Sequence, residues 1–220
     1  MIDLYCERVG PGLWAEPVNA STNVAFFLAA WAVWELARRS GARSGGVLVL
    51  TALIVTIGIG SGLFHTFATP WARALDVLPI LVFQLCYLWL YGRDIITLGP
   101  GPTGALLAAF LVAAYFGRQF PHVLNGSLMY APAFVLIWGL GLYHYRTQQH
   151  ERLGLLAAAS VFLVAVFFRT IDAAVCPVFP LGTHFLWHLL VPVVAYLIVR
   201  GFVVNVPHAP RAGMTSPASL

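Results

Sequence analysis

Seven apolar runs, each close to the length of a membrane-crossing helix, constrain this chain more than any other feature. A helix needs roughly 20 largely apolar residues to cross the hydrocarbon core. Runs near 21–37, 46–64, 75–91, 103–117, 126–145, 153–171 and 183–201 approach or meet that length. The fourth is the shortest. The fifth contains Pro132, which a membrane helix tolerates when its neighbours satisfy the freed carbonyl. Composition agrees: 60% of the chain is apolar and 9% charged, against about 45–50% and 25% in an ordinary soluble domain. The expected fold is therefore all-α, a polytopic membrane protein built as a seven-transmembrane-helix bundle. Gly99-Pro100-Gly101-Pro102 marks a turn after the third run. With short connections and no internal repeat, one domain is expected over 1–204.

All 12 basic residues are arginine, the formal net charge is +4, and no basic run occurs. Nucleic acid is therefore excluded as an expected partner. The first twenty residues carry Asp3, Glu7 and Glu16 and lack the basic start of a removable signal peptide. Residues 1–20 are expected to form an extracytoplasmic segment. Residues 205–220, rich in Pro, Ala and Ser, are expected to be a disordered cytoplasmic tail. Arginines 38, 39, 43, 93, 146, 152, 200 and 211 fall on one side of the seven runs. Arginines 8, 73, 118 and 169 fall on the other. The excess marks the cytoplasmic face, which places the N-terminus outside.

Polar residues at membrane depth point to a site. Asp costs about 2.5–3.5 kcal/mol at the centre of a spanning helix on translocon scales. Ser61 and His65 sit at the end of the second run, within Gly60-Ser61-Gly62-Leu63-Phe64-His65-Thr66, and Asp76 follows in the third. In the last run, His184 and His188 stand at i and i+4, one turn apart on one helical face. Two imidazoles so placed can hold one divalent cation. His65, at a similar depth, is the best third ligand, and three protein ligands plus a water is the usual arrangement of catalytic zinc. The plainer readings are an interfacial His65 bonded to backbone and an Asp76 that caps its helix N-terminus. For Ser61 the plainer reading is a hydroxyl bonded within its own helix. The catalytic readings make Asp76 the base that takes a proton from water and Ser61 a donor to a developing oxyanion. His122, His144, His150 and His208 are placed in loops or the tail and carry no expected role.

The chain resembles the alkaline ceramidase family, seven-helix membrane hydrolases related to the adiponectin and progestin receptors. The resemblance rests on Asp3, Cys6-Glu7, Trp14-x-Glu16, Asn19 and Asn23; on Gly60-Ser61-x-x-Phe64-His65; on Asp76-x-x-Pro79; and on Ile171-Asp172, Cys176 and His184-x-x-Trp187-His188. It implies an intramembrane amidase that cleaves the N-acyl bond of ceramide-like lipids, with the substrate entering from the bilayer. Zinc would sit on His65, His184 and His188, with Asp76 and Ser61 catalytic. The resemblance also implies calcium held by Asp3, Glu7, Glu16 and Asn19, and a disulfide between Cys6 and Cys176. Cys86 is expected to be a free buried thiol, and Asp172 is read as structural, bonded to N-terminal backbone or to Arg169.

Two rivals stand beside the hydrolase: a receptor-like or lipid-binding protein with a structural metal, and a transporter with a proton-relay cluster. An open fourth ligand position speaks against the first. The lack of repeats and of broken-helix pairs speaks against the second.

Overall fold

A computed structural model describes residues 1–206. Its elements are helical: α1 (Pro17–Thr22), α2 (Val24–Ser40), α3 (Gly45–Phe67), α4 (Pro70–Asp94), α5 (Pro100–Arg118), a 3-10 segment (Val123–Tyr130), α6 (Ala131–Arg146), α7 (Gly154–Val175) and α8 (His184–Val203). Seven spans among the described residues are long and apolar enough to cross a membrane, the first formed by α1 and α2 together and the fifth by the 3-10 segment and α6. The chain is a multi-pass integral membrane protein. Its outer surface bears the same message: Trp31, Leu28, Val135, Leu163 and Phe167 are exposed, as lipid contact allows and water would penalise.

Local chemistry sets the helix ends. The Ser44 side chain accepts from Val47 N–H at 3.2 Å and starts α3. Pro70 and Pro100 occupy the first turns of α4 and α5, where the missing N–H costs nothing. Gly41, with φ at 74°, closes α2 in the left-handed conformation. The core runs along the bundle axis through Val33, Leu50, Ile54, Leu88, Leu155 and Phe202, all fully buried. Of the seven spans α8 is the most buried and α5 the least, so the histidines of α8 stand on the innermost helix. α3 packs along α4, and α7 along α8.

Four sequence expectations change. The first run is two helices, broken at Asn23. The third run starts at Pro70 after its N-cap Thr69, which puts Asp76 beyond the first turn and removes its reading as a helix cap. The fifth run is not one α-helix around an interior proline. Leu124, Asn125 and Gly126 are left-handed, and Pro132 lies in the first turn of α6, where it breaks no hydrogen bond. His144 is not a loop residue: it is fully buried in α6, 2.7 Å from the Tyr91 hydroxyl, with Nε2 2.9 Å from the His150 carbonyl. Cys86 is free and half-buried. Residues 207–220, with most of the expected tail and His208, lie outside the described residues.

Candidate metal centre

α3 ends and α8 begins at the same end of the bundle, and this brings His65 against His184 and His188. The ligand atoms of the three lie within 4.8 Å of one another, and all three residues are buried. Imidazole nitrogens bind zinc at about 2.0–2.1 Å, so small side-chain rotations close the set on one ion. Nδ1 of His184 and both ring nitrogens of His188 are buried without a hydrogen-bond partner among the described residues. Buried polar atoms are rarely left so, and an ion is the natural partner for nitrogens that face each other. Three histidines form the donor set, which is the pattern of catalytic zinc.

The N-terminal segment orients these ligands. Glu16 Oε2 lies 2.5 Å from His65 Nδ1. An ionised carboxylate there fixes the Nδ1–H tautomer and leaves Nε2 for the ion, as outer partners of metal-bound histidine commonly do. Burial pushes the Glu16 carboxyl up, but hydrogen bonds from His65, Arg8 and Asn19 outweigh it and hold the group below the usual carboxylate range. Arg8 is buried, pairs through Nε with Glu16, and donates to the His65 carbonyl at 2.8 Å. The Tyr5 ring stacks on His184, with centroids 3.5 Å apart and planes at 10°.

His184 is held from below by Asp172 of α7. The Asp172 carboxylate accepts from Thr183 N–H at 2.7 Å, His184 N–H at 2.9 Å and Cys6 N–H at 3.0 Å. It thereby caps α8 from a neighbouring helix, since Thr183 makes no side-chain cap. Cys6 and Cys176 form a disulfide that spans 170 residues of sequence. Gly182 lies between these parts with φ at 68°, and a Cβ there would sit 2.2 Å from Asp172 Oδ1 and 2.6 Å from Cys6 Cβ.

Asp76 and Ser61 face the three histidines across a cavity of about 60 Å³, room for a few waters. Below it, sharing Ile80, Gln84, Tyr130, Ala133 and Trp187, lies an apolar cavity of about 70 Å³ that reaches Phe26, Phe83 and Phe162. On the α5 side, Phe110 connects to an open apolar groove of about 560 Å³ between α5 and α6.

The carboxylates expected to hold calcium, Asp3 apart, are bonded to protein groups in this structure. Glu7 accepts from Val18 N–H at 2.6 Å and Asn19 N–H at 2.8 Å, and so caps α1. Glu16 is taken by Arg8, His65 and Asn19, and Asp3 is exposed. In the N-terminal segment, the neutral oxygens Asn19 Oδ1 and Asn23 Oδ1 are buried without a partner among the described residues. Calcium takes 6–8 oxygens, and here a guanidinium already neutralises the buried carboxylate. Tyr5, Arg8 and the capping role of Asp172 carried no motif in the sequence, because each acts on a partner remote along the chain.

Comparison with known proteins agrees with this geometry. A family model described as Ceramidase matches residues 5–208. None of the curated proteins and none of the solved structures compared matches the chain. The matched stretch takes in the disulfide, the three histidines, Ser61 and Asp76, and the chain belongs to the ceramidase family.

Proposed function

We propose that the protein is a zinc-dependent intramembrane amidohydrolase that cleaves the N-acyl bond of a ceramide-like lipid, giving a fatty acid and a long-chain base. The observation that carries the reading is the set of three buried imidazoles with unpartnered nitrogens, opposite Asp76 and Ser61 in one small cavity. Zinc on His65, His184 and His188 supplies Lewis-acid polarisation of a carbonyl and lowers the pKa of a water from about 15.7 to about 7.

The chain's own groups do the rest. Asp76 takes the proton of the attacking water and passes it to the departing amine, so the amine leaves neutral. The Ser61 hydroxyl donates to the amide oxygen as negative charge gathers on it. Burial from bulk water strengthens both effects. The apolar cavity and the groove between α5 and α6 take the tails, which supports entry sideways from the bilayer. No fourth ligand joins the three histidines among the described residues, whereas a structural zinc is normally closed by four. We place the metal end of the bundle outside the cytoplasm, on the arginine asymmetry and on a disulfide that an oxidising compartment permits. Residues 1–204 act as one membrane-embedded unit.

The test is to incubate purified protein with a panel of N-acyl lipids, with and without verified zinc removal, and to detect released fatty acid by mass spectrometry. Release should require zinc. Release undiminished after its removal sinks the mechanism. Asp76→Asn should lower kcat by about 10²–10⁴ while metal content holds. A receptor with a structural metal would show no turnover to lose.

A further inference from the structure

Four arginines lie at the metal end of the bundle: Arg8, Arg73, Arg118 and Arg169. Arg8 is committed to Glu16. The other three all line one pocket of about 610 Å³, and no aspartate or glutamate lines it. None of the three forms a salt bridge among the described residues. Arg73 and Arg118 are exposed, and their side chains make no hydrogen bond among the described residues; Arg169 is half-buried. Arg169 donates to the Asn125 carbonyl at 2.6 Å and to Ser127 Oγ at 2.9 Å, and stands 5.3 Å from the Tyr130 ring centre. Its Nε–H is buried without a partner.

Like charges gathered around a pocket with no acidic wall repel, and the more so near apolar surfaces. Asp76, which lines the adjoining cavity with Arg118, is a single carboxylate near three cations. An anion relieves that cost. The arginine fork matches the oxygens of phosphate, sulfonate or carboxylate in pairs. The pocket adjoins the metal cavity: Val77, Arg118 and Met129 line both. A group seated among the arginines therefore lies a few bonds from an amide seated at the histidines. A neutral headgroup offers no anion to Arg73, Arg118 or the free Nε–H of Arg169.

Resting on the hydrolase reading above, we infer that the substrate is an N-acyl lipid whose headgroup carries an anionic phosphate or sulfonate. Arg73, Arg118 and Arg169 hold that headgroup while the amide reaches the metal centre. The arginines set specificity; Asp76 and Ser61 act on the bond.

The experiment compares two lipids that differ only in the headgroup: N-palmitoylsphingosine and its 1-phosphate. Binding to the metal-free full-length protein in nanodiscs of neutral lipid is read by native mass spectrometry, so that turnover plays no part. The phosphate ester should bind at least about tenfold more tightly, the worth of one charge-assisted hydrogen bond. Arg73→Gln combined with Arg118→Gln should collapse that ratio towards one. Arg73→Gln alone, at an exposed position, should reduce it if the double variant does not fold. Equal affinity for the two lipids overturns the inference, as does a ratio that the variants leave intact. Displacement by equimolar inorganic phosphate assigns the pocket to a free anion, and displacement by phosphatidylglycerol assigns it to bulk lipid. Either result also overturns it. Fatty-acid release by the zinc-loaded protein is scored separately. No release from either lipid defeats the hydrolase, whereas release with equal binding defeats only the headgroup assignment.

Discussion

His65 is gripped twice, at its ring by Glu16 and at its carbonyl by Arg8. Replacing Glu16 with Gln removes the charge that fixes the tautomer, so zinc affinity should fall by about 10–100-fold, as competition with a chromophoric chelator would report. Unchanged affinity would show that Glu16 does not orient the ligand. Arg8 already sets a positive charge against the buried Glu16 carboxylate, one of the ligands the family resemblance assigns to calcium. The melting temperature of the zinc-loaded protein should therefore not move on adding millimolar calcium or a calcium-selective chelator. Arg8→Ala, by stranding a buried carboxylate, should cost about 3–5 kcal/mol. The histidine pair was legible because its i, i+4 spacing is local. Arg8 was not, because nothing in Cys6-Glu7-Arg8-Val9 says that the cation will turn inward.

The close pairing of α3 and α4 depends on Gly60. A Cβ at that position would lie 1.9 Å from the Leu75 carbonyl oxygen and 3.2 Å from Asp76 N, so only glycine allows the two backbones to touch where Ser61 and Asp76 meet. Gly60→Ala should destabilise the protein by about 1–3 kcal/mol or more and depress kcat well beyond what its thermal shift explains. A variant that keeps full activity would show that the spacing of these helices is not critical. Apolar runs located every span from the sequence. They missed the ends of α4 and the left-handed turn before α6, because hydropathy does not register a proline-started first turn or three residues with positive φ. Asp172 was expected to be structural and is bonded to N-terminal backbone at Cys6, as one alternative had it; its capping of α8 was hidden because α7 and α8 are joined by a loop whose path the sequence does not specify.

The bundle concentrates most of its buried polar groups at one end. Three histidines, Asp76, Ser61, Glu16 and four arginines gather there, while the rest of the described interior is apolar apart from a few buried polar groups such as Thr103 and the His144–Tyr91 pair. That arrangement was legible in outline from the depth of the polar residues in each run. The arginine-lined pocket was not, since Arg73, Arg118 and Arg169 come from three helices and share no motif. The N-terminal segment closes this end, contributing Tyr5, Arg8 and Glu16 to the centre, and it is pinned by the bond between Cys6 and Cys176. A bridge over so long a loop stabilises by about 4–5 kcal/mol in the chain-entropy view. Cys6→Ser should therefore lower the melting temperature and weaken zinc retention together, with equal retention in both forms counting against the coupling. On the hydrolase reading, maturation should then have an order: a chain whose helices are inserted but whose Cys6 and Cys176 are still reduced should gain full zinc retention only once an oxidant joins them.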